Sequence, residues 1–192
     1  MKDLQKMSPV ELKSCSILAS VYALRMLGMF LILPIFAIYA TNLDSNPTSL
    51  QIGLALGIYG LTQAIFQIPF GMSSDYFGRK KVIYFGLLLF IIGSLIAGYS
   101  TSIEGIILGR SIQGSGAISA VLTALLADIT REEQRTKAMA IIGASIGLTF
   151  ALSLVLSPWL NDLIGVDGIF ILMATLSLSL IHISEPTRLS TI

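Results

Sequence analysis

The sequence predicts an all-α membrane protein of six transmembrane helices, and three observations carry that expectation. Of its 192 residues, 54% are hydrophobic and 12% charged, against ~25% charged in an average soluble domain. The apolar residues fall into long blocks between short polar clusters, as in a polytopic membrane protein. Lys and Arg gather in every second one of those clusters.

A spanning helix needs roughly 20 apolar residues. The blocks place spans at Ser16–Ala40, Leu50–Phe70, Val82–Tyr99, Gly105–Ala127 and Ala138–Leu160, with a sixth beginning near Gly168. Ser8-Pro9-Val10-Glu11 carries a cap, a proline at the first helical position and a reciprocal glutamate, which predicts a short juxtamembrane helix on the cytoplasmic surface. Thr101 with Glu104 and Thr130 with Glu133 repeat the capping-box spacing before spans four and five. Lys2, Lys6, Lys13, Arg79, Lys80, Lys81, Arg131, Arg135 and Lys137 lie on one side, whereas the alternate loops hold only Asp44, Glu104, Asp162 and Asp167. The positive-inside rule then sets the N-terminus in the cytoplasm.

Cys15 is the single cysteine, so no internal disulfide forms, and it reads as a small apolar residue at the start of span one. The first apolar block is too long for a cleavable signal peptide and lacks a small-residue cleavage pattern. The tail is read differently. Leu178–Arg188 is, codon for codon, the translation of a transposase-type sequencing-library adapter; Leu189–Thr191 fit a sample barcode and Ile192 the adapter's continuation. The expected organisation is a cytoplasmic segment over 1–15, a bundle over 16–177 with a truncated sixth span, and an adapter artefact over 178–192. His182, the only histidine, then has no claim to catalysis or metal binding.

Two motifs carry chemistry. Between spans two and three the chain reads Gly71-Met-Ser-Ser-Asp75-Tyr-Phe-Gly78-Arg79-Lys80-Lys81. Gly71 permits a close helix approach and Gly78 a turn with positive φ. Asp75 can accept from a helix N-terminus or pair with a base. Arg79 can grip a carboxylate with two prongs, and Asp128 at the end of span four is its expected partner. In span four stands Arg110-Ser-Ile-Gln113-Gly114-Ser-Gly116. Arg110 lies a turn or two below the outer face, where a charge usually faces a water-filled cavity or snorkels to the headgroups. Arg25 lies about ten residues into span one, roughly 15 Å deep at 1.5 Å per residue, and needs a partner or a cavity.

The loop resembles the signature G-x-x-x-D-[RK]-x-G-R-[RK] of the Major Facilitator Superfamily, and Arg110–Gly116 resembles that family's R-x-x-Q-G-x-G, the whole being most similar to its efflux permeases. Tyr76 departs from the loop pattern, where a basic residue is usual. Leu156-Ser157-Pro158 departs from the antiporter signature, which prefers Gly-Pro. The resemblance implies the N-terminal six-helix half of a twelve-helix fold, itself a 3+3 inverted repeat in which Arg25 and Arg110 are counterparts. It further implies a bacterial inner-membrane transporter working by alternating access, with Gly71, Asp75, Gly78, Arg79, Lys80 and Asp128 as a cytoplasmic gate.

Arg25, Tyr59, Gln63, Gln67, Arg110 and Gln113 are the candidate substrate cavity. Two cavity arginines favour an anionic or carbonyl-bearing substrate, or a structural pairing with carbonyls. Tyr59, Gln63 and Gln67 form one stripe and Ser145, Thr149 and Ser153 another; either lines a pathway or hydrogen-bonds neighbouring helices. Gly53 with Gly57, and Gly143 with Gly147 and Ala151, have close-packing spacing. Pro34 and Pro69 are expected to bend spans one and two. A channel would need a re-entrant filter or a charge ring, and an intramembrane serine protease built on Ser115 would need a histidine in another span. A non-transporting scaffold is the remaining alternative. No cofactor, metal or nucleic acid is expected; the partners are the bilayer, a small-molecule substrate and a C-terminal half, with energy from an ion gradient, protons among the candidates.

Overall fold

The structure is a computed structural model that describes residues 7–43 and 46–183, with the side chains of 182 and 183 excepted. Lys2, Lys6, Asp44, the His182 side chain and the tail beyond 183 lie outside the described residues. Seven α-helices follow in order: α1 Pro9–Phe30, α2 Phe36–Thr41, α3 Ser49–Phe77, α4 Arg79–Tyr99, α5 Ile103–Ser115, α6 Ser119–Ile129 and, after a 3₁₀ turn at Glu132–Gln134, α7 Arg135–Ile183. Among the described residues there is no strand. Among the described residues, four stretches are long and apolar enough to cross a membrane: Ser49–Phe77, Arg79–Tyr99, Ile103–Ile129 and Glu132–Ile181. The helix α1 is not one of them; Lys13 and Arg25 lower its hydropathy.

The core consists of two apolar clusters, and the chain runs back and forth between them. One holds Cys15, Phe70, Val82, Leu122 and Ala138; the other holds Leu31, Tyr59, Phe90, Ile106 and Phe170. The course of α7 shows the geometry. Ala138 belongs to the first cluster and Val166 to the second, while Leu180 and Ile181 pack against the first again. A straight helix would carry Leu180 about 60 Å from Ala138 at 1.5 Å per residue, so the chain doubles back. The reversal is at Gly165, whose φ of 69° and ψ of 174° are not helical, a conformation natural to glycine. It falls inside the loop expected between Leu160 and Gly168.

Several local expectations are corrected. The Ser8 box forms, with Glu11 N–H donating to Ser8 Oγ at 3.1 Å and Ser8 N–H to Glu11 Oε2 at 2.7 Å. It opens α1 itself rather than a separate surface helix, because no helix-breaking residue lies between Pro9 and Phe30. The Thr101 box is displaced: Ser102 caps α5, accepting from Gly105 N–H at 3.3 Å. Thr130 caps nothing; it ends α6 in an extended conformation, and its hydroxyl is buried without a partner. Span one is not one helix, since the chain leaves helical bonding over 31–35, where Pro34 lacks an N–H. Pro69, by contrast, sits inside α3 without ending it. Span four breaks at 116–118.

The glycine stripes are also reassigned. A Cβ on Gly53, Gly57, Gly143 or Gly147 would meet nothing within 4 Å. The close approach is made instead between α4 and α5: a Cβ on Gly93 would stand 2.5 Å from the Gly109 carbonyl oxygen, and closer still to Gln113 N. The Ser145, Thr149 and Ser153 hydroxyls turn back onto their own helix, each donating at 2.7 Å to Ile142, Ser145 and Thr149 carbonyls, as short hydroxyl side chains do in helices. The contact from α7 to the α1 end is made by Ser157, whose hydroxyl donates to Leu31 O at 2.5 Å.

Few side chains of α3 are buried, and Leu50, Leu61, Ile65 and Ile68 lie exposed, as do Leu148, Val155 and Leu163 on α7. Apolar faces of this extent need a bilayer or another protein surface. Gly93→Ala is expected to cost about 1–3 kcal/mol by forcing α4 from α5, whereas Gly53→Ala changes stability by less than about 1 kcal/mol. Denaturation of both variants in detergent micelles checks the pair.

Candidate functional site

The first constellation lies where α3 passes into α4. The helix α3 stops because Gly78 adopts φ 91°, a region closed to most side chains, and α4 starts at once with Arg79. That turn brings the Arg79 guanidinium back over the last turn of α3 and across to the end of α6. Arg79 Nη1 lies 2.5 Å from Asp75 Oδ1, and Nε donates to Asp128 Oδ2 at 3.1 Å. A third partner, Ser74, accepts from Nη1 at 2.5 Å and donates its own proton to Gly71 O at 2.6 Å. Ser74 has no signal in the motif, and the sequence reading missed it.

Burial lowers the Arg79 pKa, but the hydrogen bond to Asp128 and the charges of Asp75 and Asp128 raise it overall. The carboxylates are more than half exposed, at 64% and 54%. Ion pairs this open to water contribute about 0–1 kcal/mol. The cluster is therefore well formed but weakly held. Two motif residues do not fit the expected parts. Gly71 has room for a side chain, since a Cβ there would sit 3.8 Å from Ala120 Cβ, an ordinary contact. Lys80 lies exposed beside Ile17 and Tyr84, outside the cluster. Tyr76, the departure from the loop pattern, is 92% exposed.

A second ionic contact lies near the start of α1 and was not foreseen. Glu11 Oε1 accepts from Arg131 N–H at 3.1 Å and from Nε at 3.0 Å, while Oε2 accepts from Nη2 at 3.0 Å. The same carboxylate caps α1, so one buried acid ties the first helix to the segment three residues past Asp128. The hydrogen bond from the Arg131 side chain, then the Ser8 and Arg131 backbone N–H groups, hold the Glu11 carboxyl far below the usual carboxylate range; Glu11 in turn raises Arg131.

The third constellation is inside the bundle. Arg25 of α1 and Arg110 of α5 are both buried, at 2% and 1% exposure, and they meet on opposite aspects of one residue, Tyr59 of α3. Arg25 Nε donates to the Tyr59 hydroxyl at 3.3 Å, while Arg110 Cζ stands 4.9 Å from the ring centroid, within cation–π range. Arg25 Nη2 donates to Gln63 Oε1 at 3.4 Å, and Gln63 Nε2 to Ser119 Oγ at 3.5 Å. Arg110 Nη1 donates to Gln113 Oε1 at 3.0 Å and Nε to Ala55 O at 3.4 Å; Gln113 Nε2 donates to Ser94 Oγ at 2.8 Å.

Five of the six candidate cavity residues thus meet in one network; Gln67 lies a turn further along α3, half-buried, with none of these bonds. Ser94 and Ser119, from α4 and α6, join unpredicted. Among the described residues no three His, Cys, Asp or Glu side chains converge on a metal position.

The described residues thus form a helical bundle with an Asp-Arg-Asp cluster at the Gly78 turn and two buried arginines between its helices. The Major Facilitator Superfamily profile matches residues 18–185, and the chain belongs to that family. It is 53% identical over 172 residues to the inner membrane transport protein YajR of Escherichia coli, covering 90% of this chain and 38% of YajR. An uncharacterized transporter of Buchnera aphidicola is 49% identical over 173 residues, covering 90% and 44%. The class H tetracycline resistance protein of Pasteurella multocida is 30% identical over 155 residues, covering 80% and 38%. The chain therefore spans about two-fifths of the length of these relatives.

The Glu11 contact makes stability pH-dependent with a defined sign. Its folded pKa is depressed, so its contribution is complete above the unfolded value of ~4.3 and is lost as pH falls below it. Glu11→Gln is expected to lower thermal stability near pH 7 and to flatten the decline below about pH 4.3. Melting curves of both proteins across the acid range in detergent check this.

Proposed function

We propose that this chain forms the N-terminal half of a twelve-helix secondary transporter of the bacterial inner membrane, moving small molecules outward by alternating access with its N-terminus in the cytoplasm. The observation that carries the reading is the pairing of a weak ionic cluster at one end of the bundle with a buried polar network between its helices. Six passages join the two apolar clusters: α1 with α2, α3, α4, α5 with α6, and the two segments of α7 on either side of Gly165. Taken as spans, they form a 3+3 inverted repeat in which Arg25 and Arg110 occupy equivalent helices. The open apolar faces of α3 and α7 then face lipid or a second six-helix half.

In this mechanism the Asp75–Arg79–Asp128 cluster closes the cytoplasmic side and breaks once per cycle. A latch that must open repeatedly is served by exposed pairs of about 0–1 kcal/mol rather than by a buried pair. Arg25, Tyr59, Gln63, Arg110 and Gln113 line the central site. The acids of the described chain sit at helix ends or beside the Gly165 kink, so a carboxylate carrier for a coupling proton belongs to the other half. No organic cofactor takes part. YajR is an inner membrane transport protein and the class H relative a tetracycline resistance protein, which supports the inner membrane and outward direction.

The shortness of the chain against its relatives favours one second reading: alone, it is an inactive half that supplies one wall of the pathway. The first reading is tested in the full-length transporter reconstituted in vesicles, and the second by reconstituting this chain alone, which is expected to move no substrate. Arg79→Ala is expected to insert normally and to lose transport by up to about thirtyfold, the loss of two exposed pairs of about 0–1 kcal/mol each. Arg79→Lys recovers little of it because Lys lacks the fork. Normal transport by Arg79→Ala removes the gate assignment, and Arg25→Leu with unchanged transport removes Arg25 from the cavity.

A further inference from the structure

The network around Tyr59 has an electrical deficit. Two guanidiniums are enclosed among α1, α3 and α5, and every partner they have is neutral: the Tyr59 hydroxyl and ring, the Gln63 and Gln113 amide oxygens and the Ala55 carbonyl. Arginine keeps its charge at any physiological pH, and buried charges are normally paired. No acidic side chain of the described residues meets either one; the salt bridges of those residues involve Arg79, Arg131 and Arg135.

The hydrogen bonding is incomplete in the same place. Arg25 Nη1 and Arg110 Nη2 are buried with no partner. The bonds Arg25 does make, at 3.3 and 3.4 Å, are long for charged donors, which prefer about 2.7–2.9 Å. A structural arginine is saturated by its neighbours; these two are not, and Gln63 Nε2 makes only a 3.5 Å bond to Ser119 beside them.

We propose that the Arg25–Tyr59–Arg110 cluster is an oxyanion site, and that the substrate carries a carboxylate or phosphate which docks between the two guanidiniums. The inference rests on the cavity reading of these residues and adds the chemical class of the ligand. The oxyanion takes the unpartnered Nη1 of Arg25 and Nη2 of Arg110, and supplies the missing negative charge. Planar guanidinium forks suit the two oxygens of a carboxylate or phosphate. Tyr59 holds both cations in register, its ring centroid 4.9 Å from Arg110 Cζ and its hydroxyl 3.3 Å from Arg25 Nε.

The test uses the full-length transporter in detergent with four probes of one shape: benzoate, phenyl phosphate, benzamide and benzylammonium, titrated by calorimetry. Saturable binding is expected for benzoate or phenyl phosphate and not for the neutral or cationic probe; which of the two binds more tightly identifies the oxyanion. Arg25→Gln and Arg110→Gln each weaken it about tenfold to a hundredfold, the loss of a charge-assisted contact. Arg25→Lys, which keeps the charge and guards against misfolding in the buried variants, weakens it less than Arg25→Gln. Lys13→Gln, an exposed charge outside the bundle, leaves it unchanged.

Benzylammonium binding as tight as benzoate overturns the proposal, as does oxyanion binding unaltered in both glutamine variants. Absence of saturable binding of either oxyanion below about 10 mM also overturns it. A transporter that carries a cation through these residues sinks the oxyanion site and leaves the transport reading standing. Oxyanion binding by a protein that moves nothing does the reverse.

Discussion

The rest of the bundle is arranged around one constraint: two guanidiniums must be kept out of lipid without a carboxylate to neutralise them. Charged side chains at membrane depth are expensive and are found facing the interior of a bundle or a cavity. Here the solution is Tyr59, which offers its hydroxyl to Arg25 and its ring to Arg110. One tyrosine reaches both because α3 packs directly on α5, while the long Arg25 side chain extends from α1 to the Tyr59 hydroxyl. The polar arms then recruit two more helices: Gln63 reaches Ser119 on α6, and Gln113 reaches Ser94 on α4. The Ser94 hydroxyl is itself anchored on Phe90 O at 2.7 Å. Five helices are fixed by a single network that contains no acid.

That arrangement is possible only because α4 and α5 touch backbone to backbone. Gly93 faces Gly109 with no room for a Cβ on either, and Gly116 is pressed in the same way on the Gly86 carbonyl. Those contacts carry α5 close enough for Gln113 to reach Ser94, and Gly114, where a Cβ would collide with Tyr59 O, brings α5 onto α3 so that Arg110 lies over the ring. Packing and polar network are thus one device, with glycines setting the distance and Gln, Ser and Tyr using it. The face on the far side of α3, with Gly53 and Gly57, is left open.

The sequence shows some of this and hides the rest, for physical reasons. Arg25 and Arg110 were legible as residues of the bundle interior because a charge in an apolar block has few places to go. Gly78 and Arg79 were legible because the turn needs positive φ and the fork needs a carboxylate. The roles of Gly53 and Gly143 were misread because spacing alone says that helices can approach, not which helices do. The Glu11–Arg131 contact spans 120 residues, and nothing local in the chain announces a partner that distant. Ser94 and Ser119 were invisible for the same reason, one hydroxyl in a span being as good a candidate as another. The break at Pro34 was misjudged as a bend, since Pro69 and Pro158 show that the same residue can sit within a helix.

The two ionic features at this end of the bundle differ in a way that fits different duties. Glu11 is 7% exposed and gathers four hydrogen bonds, from Ser8 N–H and three groups of Arg131. Asp75 and Asp128 are open to water and share one guanidinium. Removing a partner from a buried, fully satisfied carboxylate leaves an uncompensated charge, whereas separating exposed pairs replaces them with water at little cost. The first contact therefore resists opening and holds α1 to the chain that follows α6. The second can part without disturbing the helices that carry it. Under the proposed mechanism, a bundle whose own helices are tied by the strong contact, and whose rim carries the weak one, moves as a unit when the rim lets go. Alternating access by rigid-body rocking requires that order of strengths.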